Sequence, residues 1–309
     1  LLITEVIAKR WSTYYGYPGC SIASLHTATV AVIAIPLNWI MNKIGLYKVQ
    51  ADPVAMKKKL GFIGEPMTLG LILGLIIGIV GNVSRIGTLA AWGEIFTCGI
   101  ATSAVMSVFP KISGIFSGAF TAMTEASKKS TKGYKGEWYL AVNDATGYGE
   151  TATLISGLIC MPFCLFLSFI LPGNLCLPVV DLVALPYCIQ PMVAMANGNV
   201  LKSVIGGVII SVIFLYVCTA CGPAFNDVCL STPGAATQQG MMVTSLIIIG
   251  QPVGYLLYLL VAQMEWIGAA IAIVVYAVLY FVLKKNMSKI HDALERQALN
   301  PSGKAPAEE

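Results

Sequence analysis

The sequence predicts an all-α integral membrane protein, a polytopic helical bundle with re-entrant hairpins and broken helices. Three observations carry this. Hydrophobic residues fill 57% of 309 positions and charged residues only 11%, against about 25% charged in a soluble domain. Mean hydropathy is +0.78, and apolar runs near the ~20 residues that a membrane helix needs recur along the chain. Several of these runs are interrupted by Gly, Pro or a carboxylate. The net charge of +4 is small and dispersed, which excludes a nucleic-acid partner. Residues 1–290 read as one transmembrane domain and 291–309 as a disordered cytoplasmic tail, too polar to pack.

In chain order, spans are predicted at 21–41, 67–82, 86–109, 151–171, 178–196, 203–222 and 267–283. The first holds His26, Thr27 and Thr29 and is interrupted by Pro36, so a re-entrant path is an alternative. The second carries Gly70, Gly74, Gly78 and Gly81 on one face, where small residues let helix backbones approach closely. Internal packing is the preferred reading of that face and a dimer contact the alternative. Residues 111–132 form a basic-ended helix expected along the inner interface. Short apolar pieces near 138–150 and 235–251 are expected to be re-entrant, and Gln263-Met264-Glu265-Trp266 separates 254–262 from the last span. Interrupted pieces of this kind mark broken helices in transporters.

Basic clusters at Lys57-Lys58-Lys59, from Lys128 to Lys135 and from Lys284 to Arg296 read as cytoplasmic. The predicted spans return the chain to one side between them. Lys202 also falls inside, and the C-terminus is cytoplasmic. The first residue is Leu1, with no signal-peptide pattern ahead of the first apolar run, and the start of the protein is expected to be missing.

Asp144, Glu150 and Asp181 lie in membrane-grade sequence, where an uncompensated charge costs ~2.5–3.5 kcal/mol or more. They read as part of a transport site. Each has a plainer alternative, as a helix cap or a first-turn acid. Carboxylates and amides suit hydroxyl recognition, so Asp144, Tyr148, Glu150 and Thr151 on a Gly-flexed backbone fit a sugar or polyol. Gln190, between Pro186 and Pro191, marks an unwound, cavity-lining element. His26 is a weaker candidate, more often a hydrogen-bonded packing residue, and His291 is expected to be solvated. Glu65 either caps a helix, pairs with Lys57–Lys59 or positions a gating loop. Nine Cys read mainly as small hydrophobes, with a redox role for Cys218-Thr219-Ala220-Cys221 as the minor alternative. With two His and no phosphate-binding loop, no metal, cofactor or catalytic residue is expected.

Several segments resemble the galactitol-type IIC permeases of the bacterial phosphoenolpyruvate:sugar phosphotransferase system. They are Lys58-Lys59-Leu60-Gly61-Phe62-Ile63-Gly64-Glu65-Pro66-Met67-Thr68-Leu69-Gly70, Met106-Ser107-Val108-Phe109-Pro110-Lys111-Ile112, Leu171-Pro172-Gly173-Asn174, Leu177-Pro178, Asp181-Leu182 and Asn197-Gly198-Asn199. The resemblance runs in order over most of 5–290. It implies the ascorbate/galactitol-type IIC fold, here in part because an N-terminal portion of several helices is lacking, and a homodimer with a fixed scaffold and a mobile core. It implies a multi-pass protein of the bacterial inner membrane that binds a polyol or sugar and releases it inward. A partner IIB, fed by IIA, would phosphorylate the sugar, so this chain performs no chemistry itself but belongs to a group-translocation complex. Gly149-Glu150-Thr151 stands where such permeases often have Gly-His-Thr, which makes Glu150 a candidate specificity residue. An ion- or proton-coupled carrier that works alone is the alternative, and an intramembrane enzyme using His26 or a Cys ranks last.

Overall fold

The computed structural model describes residues 2–49, 51–130, 139–178, 181–232, 242 and 244–302. Helix α1 (Leu2–Tyr15) leads into a short strand β1 (Cys20–Ile22), α2 (Leu25–Lys43) and α3 (Pro53–Leu60). Helices α4 (Pro66–Gly81) and α5 (Leu89–Ser130) form an antiparallel pair. Strand β2 (Leu140–Val142), a 3-10 turn at Asp144–Gly147 and α6 (Thr151–Ile170) follow. A second 3-10 turn, Asp181–Ala184, opens two short helices, α7 (Leu185–Cys188) and α8 (Gln190–Met195), before the long α9 (Val200–Ser231) and α10 (Pro252–Leu299). Among the described residues, five helices are long and apolar enough to cross a membrane: α2, α5, α6, α9 and α10. The chain is a multi-pass helical membrane protein.

The main core lies between α2, α6, α7 and α9. Val30, Met41, Leu185 and Phe214 are buried there together with Cys160, Cys164, Cys188 and Cys218. These thiols are free and serve as small apolar side chains. Cys218 and Cys221 sit within one helix. A second cluster gathers Trp11, Tyr15 and Tyr17 at the end of α1 against β1 and β2.

The glycine face of α4 packs internally. A Cβ on Gly74 would lie 2.7 Å from the Cys98 carbonyl of α5, and one on Gly70 would lie 2.7 Å from Met106 Cγ. Gly81, the fourth residue of that row, faces open space. The fit uses three glycines to bring two backbones together without interposed side chains.

Other expectations need revision. Helix α2 starts after β1 and runs through Pro36 unbroken, because a proline removes only one helix hydrogen bond and the core around it holds the rest. Residues 86–109 and the expected interfacial helix are one helix, α5, with Pro110 inside; residues 131–132 lie outside the described set. The span expected at 178–196 is a 3-10 turn and two short helices, as its two prolines and Gln190 suggest. Of the element expected at 235–251, residues 233–241 and 243 lie outside the described set, and 246–249 form turns. Helix α10 breaks at Glu265, where φ is 46° and ψ is −123°, within the separator read from sequence.

The tail also departs from expectation. Helix α10 continues through 291–299, with Met287, His291, Leu294 and Ala298 buried. His291 Nε2 lies 2.8 Å from the Glu5 carbonyl oxygen. Buried positions recur along this segment at helical spacing, a period-3.6 pattern that the charge of the tail obscured, and two of its acids, Asp292 and Glu295, pair with Lys9 and Arg10 of α1. Residues 303–309 lie outside the described set.

The α4–α5 packing predicts an asymmetric response. Gly74→Ala should lower stability by about 1–3 kcal/mol, whereas Gly81→Ala should leave it unchanged or slightly raised. Thermal unfolding of the two variants in detergent checks this; equal effects would contradict the internal fit.

Candidate functional site

The site is assembled by the smallest element of the fold. Strands β1 and β2 pair in parallel, with Cys20 opposite Leu140, Ser21 opposite Ala141 and Ile22 opposite Val142. Two parallel strands end at the same place. The residues just after β1, Ser24 and His26, therefore meet those just after β2, Asn143 and Asp144. A three-residue pair has little stability alone; Cys20, Ile22 and Val142 are held by the aromatic cluster of α1.

Asn143 caps the 3-10 turn by accepting the Ala145 N–H at 2.8 Å. Asp144 is thereby released from the capping role that its position suggested. Its Oδ2 accepts from Ser24 Oγ at 3.0 Å and makes a short contact with His26 Nε2. The Asp144 side chain is 9% exposed and that of His26 is 21% exposed, so the pair sits at the edge of the buried core. Tyr148 and Tyr187, both half-buried, pack against each other with ring centres 4.3 Å apart and planes tilted by 34°.

Gln190 is fully buried at the start of α8. Its Nε2 donates to the Asp144 carbonyl at 2.5 Å, and its Oε1 accepts from Trp11 Nε1 at 3.0 Å. The Tyr15 hydroxyl bonds Thr153 Oγ1 at 2.8 Å and donates to the Gln190 carbonyl at 3.3 Å. The Tyr17 hydroxyl donates to the Thr146 carbonyl at 2.8 Å. Three elements, α1, α8 and the 144–147 turn, are thus tied through backbone carbonyls that lipid could not satisfy.

The remaining carboxylates hold structure. Glu150 caps α6: its two oxygens accept from Ala152 N at 2.9 Å, Thr153 N at 2.8 Å and Thr153 Oγ1 at 2.8 Å. Thr151, half-buried, is the first residue of that helix. Asp181 accepts from Ser245 Oγ at 3.0 Å and Leu246 N at 2.5 Å, which fastens the broken segment to the turn before α10. Glu65 pairs with Lys57 at 3.0 Å. Of the residues singled out from sequence, the fold gathers His26, Asp144, Tyr148 and Gln190, and it gives Glu150 and Asp181 backbone partners.

Sequence reading missed Ser24, Trp11, Tyr15 and Tyr187 as members of this constellation. Ser24 is followed by the first turn of an apolar helix, a cap signal, and its side chain serves Asp144 instead. Also missed was Gln251, one residue before α10. It lines an apolar cavity of about 360 Å³ between Leu25, Phe225 and Tyr255. Gln251 Nε2 donates to the Ile247 carbonyl, and its Oε1 has no hydrogen-bond partner among the described residues.

A family model described as "PTS system sugar-specific permease component", EIIC-GAT, matches residues 1–250. The chain belongs to this permease family. It is 28% identical over 293 residues to the "Putative permease IIC component" of Escherichia coli (strain K12), covering 94% of this chain and 65% of that protein. It is 28% identical over 253 residues to the "PTS system galactitol-specific EIIC component" of the same strain, covering 81% of this chain and 54% of that protein. It is likewise 28% identical over 253 residues to the protein of that name in Escherichia coli O157:H7. The chain thus spans between about half and two thirds of the length of these relatives.

The division of labour among the carboxylates predicts distinct stabilities. Glu150→Ala should cost about 1 kcal/mol, the loss of a helix cap, and Asp181→Ala a comparable amount. Asp144→Asn, which keeps the shape and one acceptor, should leave the melting temperature within error. A large destabilisation in Asp144→Asn alone would reverse the assignment.

Proposed function

We propose that this chain forms part of the IIC permease of a sugar phosphotransferase system, and that it binds a polyol or sugar at Asp144 and delivers it inward for phosphorylation. The observation that carries this reading is the meeting of Asp144, His26 and Ser24 beside the Tyr148–Tyr187 pair, at the mouth of a broken-helix element. A carboxylate and an imidazole at adjacent positions suit neighbouring hydroxyls of one ligand, and aromatic faces suit its C–H side. Gln190, Glu150 and Asp181 hold the backbone that presents this group, and Thr151 opens the helix that follows. The galactitol-specific relatives make a hexitol the first ligand to try.

The reading brings further components with it. A IIB protein would supply the phosphoryl group and a IIA protein would feed IIB, with no catalytic residue required of this chain. The protein would work as a homodimer in the bacterial inner membrane, with its C-terminus in the cytoplasm, as the basic clusters suggest. A second reading, a proton-coupled carrier, draws on the same His26–Asp144 contact, because two titratable groups in contact can carry a proton across a closed site.

Binding of a hexitol and pentitol panel to the full-length protein tests the proposal. Asp144→Asn should weaken the best ligand by at least about tenfold, the worth of one charge-assisted hydrogen bond, while Asp181→Asn should change its affinity little. Unaltered affinity in Asp144→Asn would remove the site. Accumulation of free polyol in proteoliposomes driven by a pH gradient, with no IIA or IIB present, would favour the proton-coupled reading instead.

A further inference from the structure

The opposite end of α2 from His26, about 25 Å away along the helix, carries another cavity, this one polar. It measures about 680 Å³ and lies between the C-terminal end of α2, the turn after it and the C-terminal end of α10. Lys43, Lys48 and Arg296 line it together with Asn42 and Gln297, and no Asp or Glu is among its lining residues. The three cations are exposed, and among the described residues none of them forms a salt bridge. The carboxylates nearest in sequence are engaged elsewhere: Asp52 with the Ala55 N–H at 2.8 Å, Asp292 with Lys9 at 2.8 Å and Glu295 with Arg10 at 3.0 Å.

A fourth cation stands behind the wall. Lys202 of α9 is 2% exposed, and its Nζ donates to Asn42 Oδ1 at 2.8 Å. Asn42 in turn donates to the Gln297 carbonyl at 3.0 Å. Buried charges are normally paired with an opposite charge, yet among the described residues this ammonium donates one hydrogen bond, to a neutral amide that itself lines the cavity. Three cations therefore line a space with no Asp or Glu among its described lining residues, and a fourth lies behind its wall. The ligand that completes the set is an anion.

The surroundings indicate what carries the charge. Trp39, Ile40 and Ile44 are 55%, 49% and 69% exposed at this end of α2, and Lys43 Nζ lies 5.5 Å from the centre of the Trp39 ring. Exposed Trp beside Lys is the signature of a membrane–water boundary. Apolar side chains are thus offered to acyl chains directly beside cations suited to a phosphate. We propose that this cavity binds the phosphate of an anionic phospholipid headgroup, with the lipid tails along Trp39, Ile40 and Ile44. The assignment is independent of the sugar-binding reading.

Native mass spectrometry of the full-length protein, with phosphatidylglycerol, phosphatidylcholine of the same acyl chains, or inorganic phosphate added, tests it. The wild-type protein should retain phosphatidylglycerol in preference to the other two. Lys48→Gln should cut that preference about fivefold, and the combined Lys43→Gln/Lys48→Gln/Arg296→Gln variant should abolish it, at about fivefold per cation. Lys57→Gln/Lys58→Gln/Lys59→Gln, which removes as many charges outside the cavity, should keep it. Equal retention of the two lipids, or a preference that survives in both Lys48→Gln and the triple variant, overturns the proposal. So does inorganic phosphate binding as tightly as phosphatidylglycerol, since the lipid tails would then contribute nothing.

Discussion

Much of the structure around the candidate site depends on one side-chain amide. Gln190 is buried completely and uses both ends, accepting from the Trp11 indole and donating to the Asp144 carbonyl. The constraint behind this is severe. Irregular backbone at membrane depth survives only where protein satisfies its polar groups, and both the 144–147 turn and the 181–195 segment are irregular. Gly147 makes the contact possible, because a Cβ there would collide with Gln190 Oε1. With its backbone carbonyl held by Gln190 and its turn capped by Asn143, Asp144 has a side chain directed at Ser24 and His26.

The parallel β1–β2 pair sets the partners of that side chain. A shift of one residue in the register would carry Ser24 and His26 away from Asp144 and turn alternate strand residues over. The pairing also explains why α2 begins where it does: the chain leaves β1 in extended form, with Ser24 at φ −80° and ψ 148°, and the apolar helix starts at Leu25. Packing of Trp11 and Tyr17 against the strands holds a pair too short to persist alone. The aromatic end of α1 thereby acts on the site twice, through the strands and through Gln190.

The sequence made the helical, membrane-embedded class plain, along with the glycine face of α4, the break near Glu265 and the broken character of 181–195. Each is a local pattern of period or composition. The partners of the carboxylates were not local. Asp144 meets residues 118 and 120 positions earlier in the chain, through strands of only three residues each, which no periodicity announces. Glu150 and Asp181 looked equally fit for a ligand, because an acid accepts from a backbone N–H and from a hydroxyl alike. The tail was misread for the opposite reason. Its charges dominated the composition, while four apolar or buried positions at helical spacing, Met287, His291, Leu294 and Ala298, dock it on α1.

The central claim is that the His26–Asp144 pair, rather than the other two acids, faces the ligand. Nitrogen NMR of the full-length protein labelled in histidine tests it directly, with the His26 signal assigned by its loss in His26→Gln. Saturating hexitol should shift the His26 Nε2 resonance and leave that of His291 in place. A bound hexitol that moves neither resonance would contradict the account.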